Sequence, residues 1–193
     1  MVPIRFSTDI GLRSYPRDYD KWPIIAAAER AKLMVVTAAA HGHVDDLRLL
    51  IAAKANVDEP SFDGDDATPL FWAARNGHAN AVQIVASAKA DLNMSNPIYA
   101  ASSGGHINVL QVLIAAKADL DIQFEELSAL HIAAKMGRIE AVKLLLEAKA
   151  DIDDQYDYDY TAVGVAAQQD DMDILRFLID ARANVDVPDV HMA

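Results

Sequence analysis

A chain of 193 residues with no cysteine, 29 acidic against 17 basic side chains and 52% hydrophobic content is about one domain long, without disulfides or thiolate metal clusters. Its net charge of −12 argues against unspecific binding to nucleic acid or anionic membranes, which both require Lys and Arg to neutralise phosphate. Aliphatic runs such as Ile24 to Ala28 are far too short to cross a bilayer, and residues 1–20 lack the apolar core of a secretory signal, so the chain reads as cytoplasmic or nuclear.

In chain order, residues 1–19 come first as a basic arm: residues 1–32 carry six basic and four acidic groups, net +2, leaving net −14 for the remainder. Pro23 is a good helix starter with Asp20 as a cap, and no Gly or Pro interrupts Ile24 to Ala40, which predicts an extended capping helix over 23–40. From there one theme is written five times: IAAKANVD (51–58), ASAKADLN (86–93), IAAKADLD (114–121), LEAKADID (146–153) and IDARANVD (179–186). The landmarks Lys54, Lys89, Lys117, Lys149 and Arg182 each lie 12 residues after Gly42, Gly77, Gly105, Gly137 and Asp170, whereas the return to the next unit varies as 23, 16, 20 and 21. Length variation confined to one connection means that the segment between landmarks is packed in register. That segment reads as an amphipathic helix, with Ile139, Val142, Leu144, Leu145 and Leu146 opposite Glu140, Lys143 and Glu147 in the fourth unit. A shorter, alanine-rich helix precedes each turn, as in Leu130 to Met136, so each unit is helix, turn, helix, variable connection.

Thr68-Pro69-Leu70-Phe71-Trp72-Ala73-Ala74-Arg75-Asn76-Gly77-His78 makes the pattern specific, with looser copies from Asn96-Pro97 and from Ser128-Ala129-Leu130-His131. The chain resembles ankyrin-repeat proteins over roughly Leu33 to Asp186. The resemblance implies an all-α solenoid of stacked helix-turn-helix units with projecting β-turn or hairpin fingers. It also implies one domain over 20–190, with repeats at about 33–67, 68–95, 96–127, 128–160 and 161–190. Pro69 and Pro97 suit a first helical turn, and the repeated Ala-Ala, drawn from 35 alanines, lets neighbouring helices approach closely. Where the family usually has Gly, before the Ala-Asp of its loop, this chain has four Lys and one Arg. A left-handed backbone at each of them costs about 1 kcal/mol. The connection after the second unit is too short for a hairpin, so one finger is expected to be missing from the row.

Ankyrin arrays bind partners through finger tips and exposed first-helix positions on a concave face. Carried over residue by residue, those helix positions are Ala40 and His41, Arg75 and Asn76, Ser103 and Gly104, Lys135 and Met136, and Gln168 and Gln169. Fourteen acids fall in the connections and tail, among them Asp58, Asp65, Asp66, Asp121, Glu125, Glu126, Asp153 and Asp154, and none of these segments holds Lys or Arg. Aromatic side chains are interleaved with them: Phe62, Phe124 and the alternating Tyr156, Tyr158 and Tyr160. Tyr offers large amphipathic contact area for little lost rotamer freedom, and a one-signed edge steers a basic partner.

Catalytic and metal chemistry find little support in these residues. His41 and His43 lack a third ligand, the runs around Asp63 to Asp66 and Asp151 to Asp154 do not match a calcium loop, and no phosphate-binding loop or nucleophile elbow is present. Composition and resemblance together predict a non-catalytic protein-binding module, without cofactor or metal, monomeric unless part of a larger complex, whose acidic, Tyr-bearing face binds a protein with a basic patch. The alternative is a structural accessory subunit of a multiprotein assembly, held through the basic arm and the apolar solenoid ends.

Overall fold

A computed structural model describes residues 33–61, 67–124, 127–155 and 161–185. Ten helices account for nearly all regular structure among them: α1 (33–40), α2 (Val44–Ala52), α3 (Pro69–Arg75), α4 (Ala79–Ser87), α5 (Pro97–Gly104), α6 (Ile107–Ala115), α7 (Ala129–Lys135), α8 (Ile139–Glu147), α9 (Ala162–Gln168) and α10 (Met172–Asp180). They form five antiparallel pairs. The odd-numbered inner helices pack in file, α3 on α5 on α7 on α9, and the even-numbered outer helices do the same from α2 to α10. The expected capping helix is helical over 33–40; its first part, 23–32, lies outside the described residues, as does the basic arm.

Helix starts follow the residues that can cap them. Pro69 and Pro97 occupy first-turn positions, and the Thr68 hydroxyl accepts from the Phe71 N–H at 3.2 Å, the Asn96 side chain from Tyr99 N–H at 3.1 Å, and Thr161 from Gly164 N–H at 3.3 Å. Helix ends are equally uniform. The turn landmarks Gly42, Gly77, Gly105, Gly137 and Asp170 all have positive φ, and so do the cationic landmarks Lys54 (60°), Lys89 (66°), Lys117 (67°), Lys149 (74°) and Arg182 (69°). Outer helices therefore close in Schellman fashion with a side chain where Gly is cheapest: Lys54 N–H donates to Ile51 and Ala55 N–H to Leu50, a pattern repeated around Lys117, Lys149 and Arg182.

One core runs the length of the stack. Ala39, Ala73, Ala74, Ala101, Ala133, Ala134 and Ala166 are fully buried between inner helices, while Leu47, Val82, Val85, Leu110, Leu113, Leu145 and Leu178 fill the space behind them. The alanines stand where two backbones meet, and a larger side chain there would hold the helices apart. At the finger bases, Ser61 N–H donates to the Ala67 carbonyl at 2.9 Å, and Phe124 and Leu127 form an isolated antiparallel bridge. The shortest connection, 91–95, projects no hairpin: Ser95 (φ 60°) and Asn96 (φ 49°) turn the chain straight into α5. The missing finger is thus observed.

Candidate protein-binding face

Acidic residues of the loops are first of all structural. In each loop an Asx side chain accepts from the backbone two residues on, and that residue's side chain accepts from the next unit. Asp58 N–H donates to Asn56 Oδ1 (3.1 Å), Asp91 N–H to Asp58 Oδ1 (2.9 Å), Asn93 N–H to Asp91 Oδ1 (2.9 Å) and Asp119 N–H to Asn93 Oδ1 (3.0 Å). The series continues with Asp121 N–H to Asp119 (3.1 Å), Asp151 N–H to Asp121 (2.9 Å), Asp153 N–H to Asp151 (3.0 Å) and Asn184 N–H to Asp153 (2.7 Å). Eight consecutive hydrogen bonds link five units without a gap. Asp58, Asp121 and Asp153, which the sequence assigns to a free acidic edge, each spend one carboxylate oxygen on this ladder. Each carboxylate is thereby held at a fixed point along the edge.

The turn side is built by a different relay. His106 Nε2 lies 2.9 Å from the Arg75 carbonyl with its ring over Gly77, and the Nε of Arg138 donates to the Ser103 carbonyl at 3.3 Å with its stem over Gly105. Asn76, an expected contact residue, donates its amide to the Ala40 carbonyl at 2.8 Å and so joins the first two units. Two expected exposed positions are corrected here: Ala40 is buried, because α1 turns it into the core, and Ser103 is only half-exposed. His41, Arg75, Gly104, Lys135, Met136, Gln168 and Gln169 are exposed at the ends of their inner helices.

Aromatic residues outside the expected contact set gather at the finger bases. Phe71 and Trp72 meet edge to face at 5.6 Å, and the exposed Arg75 guanidinium lies over both rings, 5.9 and 5.6 Å from their centres. Phe71 closes a small satellite cluster with Ala67 and Ala100, against which Trp72 packs half-exposed. One unit on, Tyr99 meets the expected contact residue Phe124 at 5.2 Å, and Phe124 is exposed. Phe71 and Tyr99 hold the same slot of successive inner helices, and recurrence of a large ring in that slot is the signal that would have found them. Asp65, Asp66, Glu125, Glu126, Tyr156, Tyr158 and Tyr160 lie outside the described residues.

His131, third in that slot, is fully buried. Its Nδ1 lies 2.8 Å from Ser128 Oγ and 3.8 Å from Asp154 Oδ2. Both of these partners address the same ring nitrogen, whereas the Ser and Asp of a catalytic triad flank the ring from opposite nitrogens. The cluster instead ties the start of α7 to the loop after α8.

Family models match over most of the chain: residues 35–86 match a model of ankyrin repeats in many copies, and 97–189 one of ankyrin repeats in three copies. The chain belongs to the ankyrin-repeat family. Comparison with curated proteins returned no match. Ankyrin repeats are in general protein-protein interaction modules, and the family is in general non-catalytic. No described helix of this ankyrin-repeat protein is long and apolar enough to cross a membrane.

Proposed function

We propose that this ankyrin-repeat protein is a non-catalytic recognition module that binds a protein with a basic surface along its finger-side face. The observation that carries the reading is the pair of aromatic contacts on successive units, Arg75 over Trp72 and Tyr99 against Phe124, in a chain whose loops also carry the row of ladder carboxylates. Trp, Tyr and Arg are the residue types that most often anchor interfaces, because each offers a large amphipathic or planar surface at modest entropic cost. Carboxylates already fixed by backbone N–H groups lose little further freedom on binding, and each retains one oxygen to receive Lys or Arg. Asp65, Asp66, Glu125, Glu126, Tyr156, Tyr158 and Tyr160 extend the same edge in this proposal. Lys135, Met136, Gln168 and Gln169 set specificity at the inner-helix ends, together with the exposed Asn76 and the half-exposed Ser103, which also bond to a neighbouring unit.

The test is affinity capture from native lysate with mass spectrometry, followed by binding measurements on the identified partner. Trp72→Ala with Phe124→Ala, and separately Asp157→Lys and Asp159→Lys with Tyr158→Ala, are expected to weaken binding, and affinity is expected to fall steeply with salt. Binding that survives both sets of changes refutes the finger-side reading. Salt-resistant, stoichiometric co-purification would favour an accessory subunit of a permanent assembly instead.

A further inference from the structure

Because the five units repeat in register, burial can be compared position by position. Val35, Leu70, Ile98 and Leu130 are buried, but Val163 in the same slot is half-exposed; Ala39, Ala74, Ser102 and Ala134 are fully buried, but Ala167 is exposed. Outer-helix positions behave alike. Val44, Ala79, Ile107 and Ile139 are half-buried and Met172 is 52% exposed; Ile51, Ala86, Ile114 and Leu146 are half-buried and Ile179 is 48% exposed. Val57 is buried and Leu92, Leu120 and Ile152 half-buried, whereas Val185 is 57% exposed. These are the positions that each unit covers with the next, and the fifth unit keeps apolar side chains in all of them. A unit whose outer face met only water would gain by carrying polar residues there.

A further repeat in the same register would meet a side chain at the fifth turn, where the first four turns have glycine. At the first two turns the following unit's His closes over glycine so tightly that a Cβ on Gly42 or Gly77 would stand 2.8 or 2.7 Å from its ring. Over Gly105 and Gly137 the nearest side-chain atoms stand off at 3.0 and 3.5 Å, and the fifth turn carries Asp170 at φ 55°.

Charge points to the occupant. Met172, Arg176, Ile179 and Asp180 fall on one stripe of α10, in register with Val44, Arg48, Ile51 and Ala52, which line the groove between α2 and α4. Arg and Asp four residues apart make this stripe complementary to itself. Two α10 helices packed antiparallel about a two-fold axis at the level of Leu178 set Arg176 of each against Asp180 of the other. Both Ile179 side chains then meet at the centre. Across most of its surface a chain of net charge −12 repels its own copies, so matched signs on one apolar stripe favour contact there.

We propose that the C-terminal face is a two-fold homodimer interface in which α10 packs antiparallel on α10 of a second copy, in place of the monomer that composition suggests. This proposal does not depend on the finger-side reading. Sedimentation of the full chain over about 1 to 200 μM is expected to show a monomer-dimer equilibrium. Arg176→Asp and Asp180→Arg each place like charges in contact twice and are expected to weaken the dimer by about tenfold or more, and the double exchange to restore it. Both residues are exposed, so circular dichroism is expected to be unchanged; should either variant misfold, Ile179→Ser supplies the same loss without altering charge. A chain that stays monomeric throughout overturns the proposal, as does a dimer indifferent to the single reversals or unrestored by the double exchange. A monomer that dimerises only once residues 186–193 are removed overturns it too, because the chain's own end would then be the cover.

Discussion

Replacing Asp121 by Ala separates the two roles a loop carboxylate can have in this protein. Asp121 Oδ1 accepts from the Asp151 N–H at 2.9 Å, and Asp121 is exposed, so in the variant water can reach the orphaned donor. A hydrogen bond to a charged group contributes about 1.5–3 kcal/mol, and rehydration of the exposed donor reduces the expected loss to about 1 kcal/mol. On this size of domain that corresponds to a melting temperature lower by about 2–4 °C. Asp121→Asn is expected to lose less than about 0.5 kcal/mol, because an amide oxygen can accept the same bond, as Asn93 does for Asp119 at 3.0 Å. Charge alone predicts the opposite order: in a chain of net −12, either change removes self-repulsion and both variants gain stability alike. Urea unfolding with an unchanged m-value decides between them. Asp121→Ala at least as stable as the parent, or indistinguishable from Asp121→Asn, would refute the ladder as a source of stability.

Gly77→Ala is expected to destabilise by about 2 kcal/mol or more, since a side chain at φ 77° is strained and its Cβ meets a His106 ring held by the Arg75 carbonyl; thermal unfolding measures it. Asp170→Gly changes the one turn landmark with a side chain, at φ 55°, and is expected to raise stability by about 0.5–1 kcal/mol in the same assay. Thr68→Ala removes a buried N-cap that accepts from Phe71 N–H and is expected to cost about 1–2 kcal/mol in urea unfolding, with Thr68→Ser recovering most of it. Lys117→Gly relieves a left-handed side chain at φ 67° and is expected to gain up to about 1 kcal/mol, a gain that would be absent if the cation's attraction to the last carbonyls of α6 dominated.

Much of this architecture is legible in the order of residues. Helix pairs, the turn at each Gly, the packing role of Ala73-Ala74 and Ala133-Ala134, and the absent finger after α4 all follow from spacing and residue size. Local preferences act over a few residues, so the sequence carries them openly. The candidate face was less legible. Asp58, Asp121 and Asp153 look like free acids in the chain, yet each accepts from a backbone N–H some 30 residues further on. Asn76 reads as a contact residue but bonds Ala40, 36 residues before it. In the sequence Phe71 and Trp72 merge with the family pattern, and only the approach of Arg75 to the buried Phe71 and the half-exposed Trp72 marks the site.

By itself the sequence determined the family, the number of units, the left-handed landmarks as candidates for strain, and the separation of a basic beginning from an acidic array. Those properties depend on periodicity and on side-chain volume, both of which survive without coordinates. Tertiary structure alone decided which acids are tied to a neighbour, which inner-helix ends stay open, and which apolar positions of the fifth unit are exposed where earlier units bury them. Stacking brings together residues some 30 positions apart, and whether a given carboxylate, ring or methyl group is spent or available depends on what the next unit places against it.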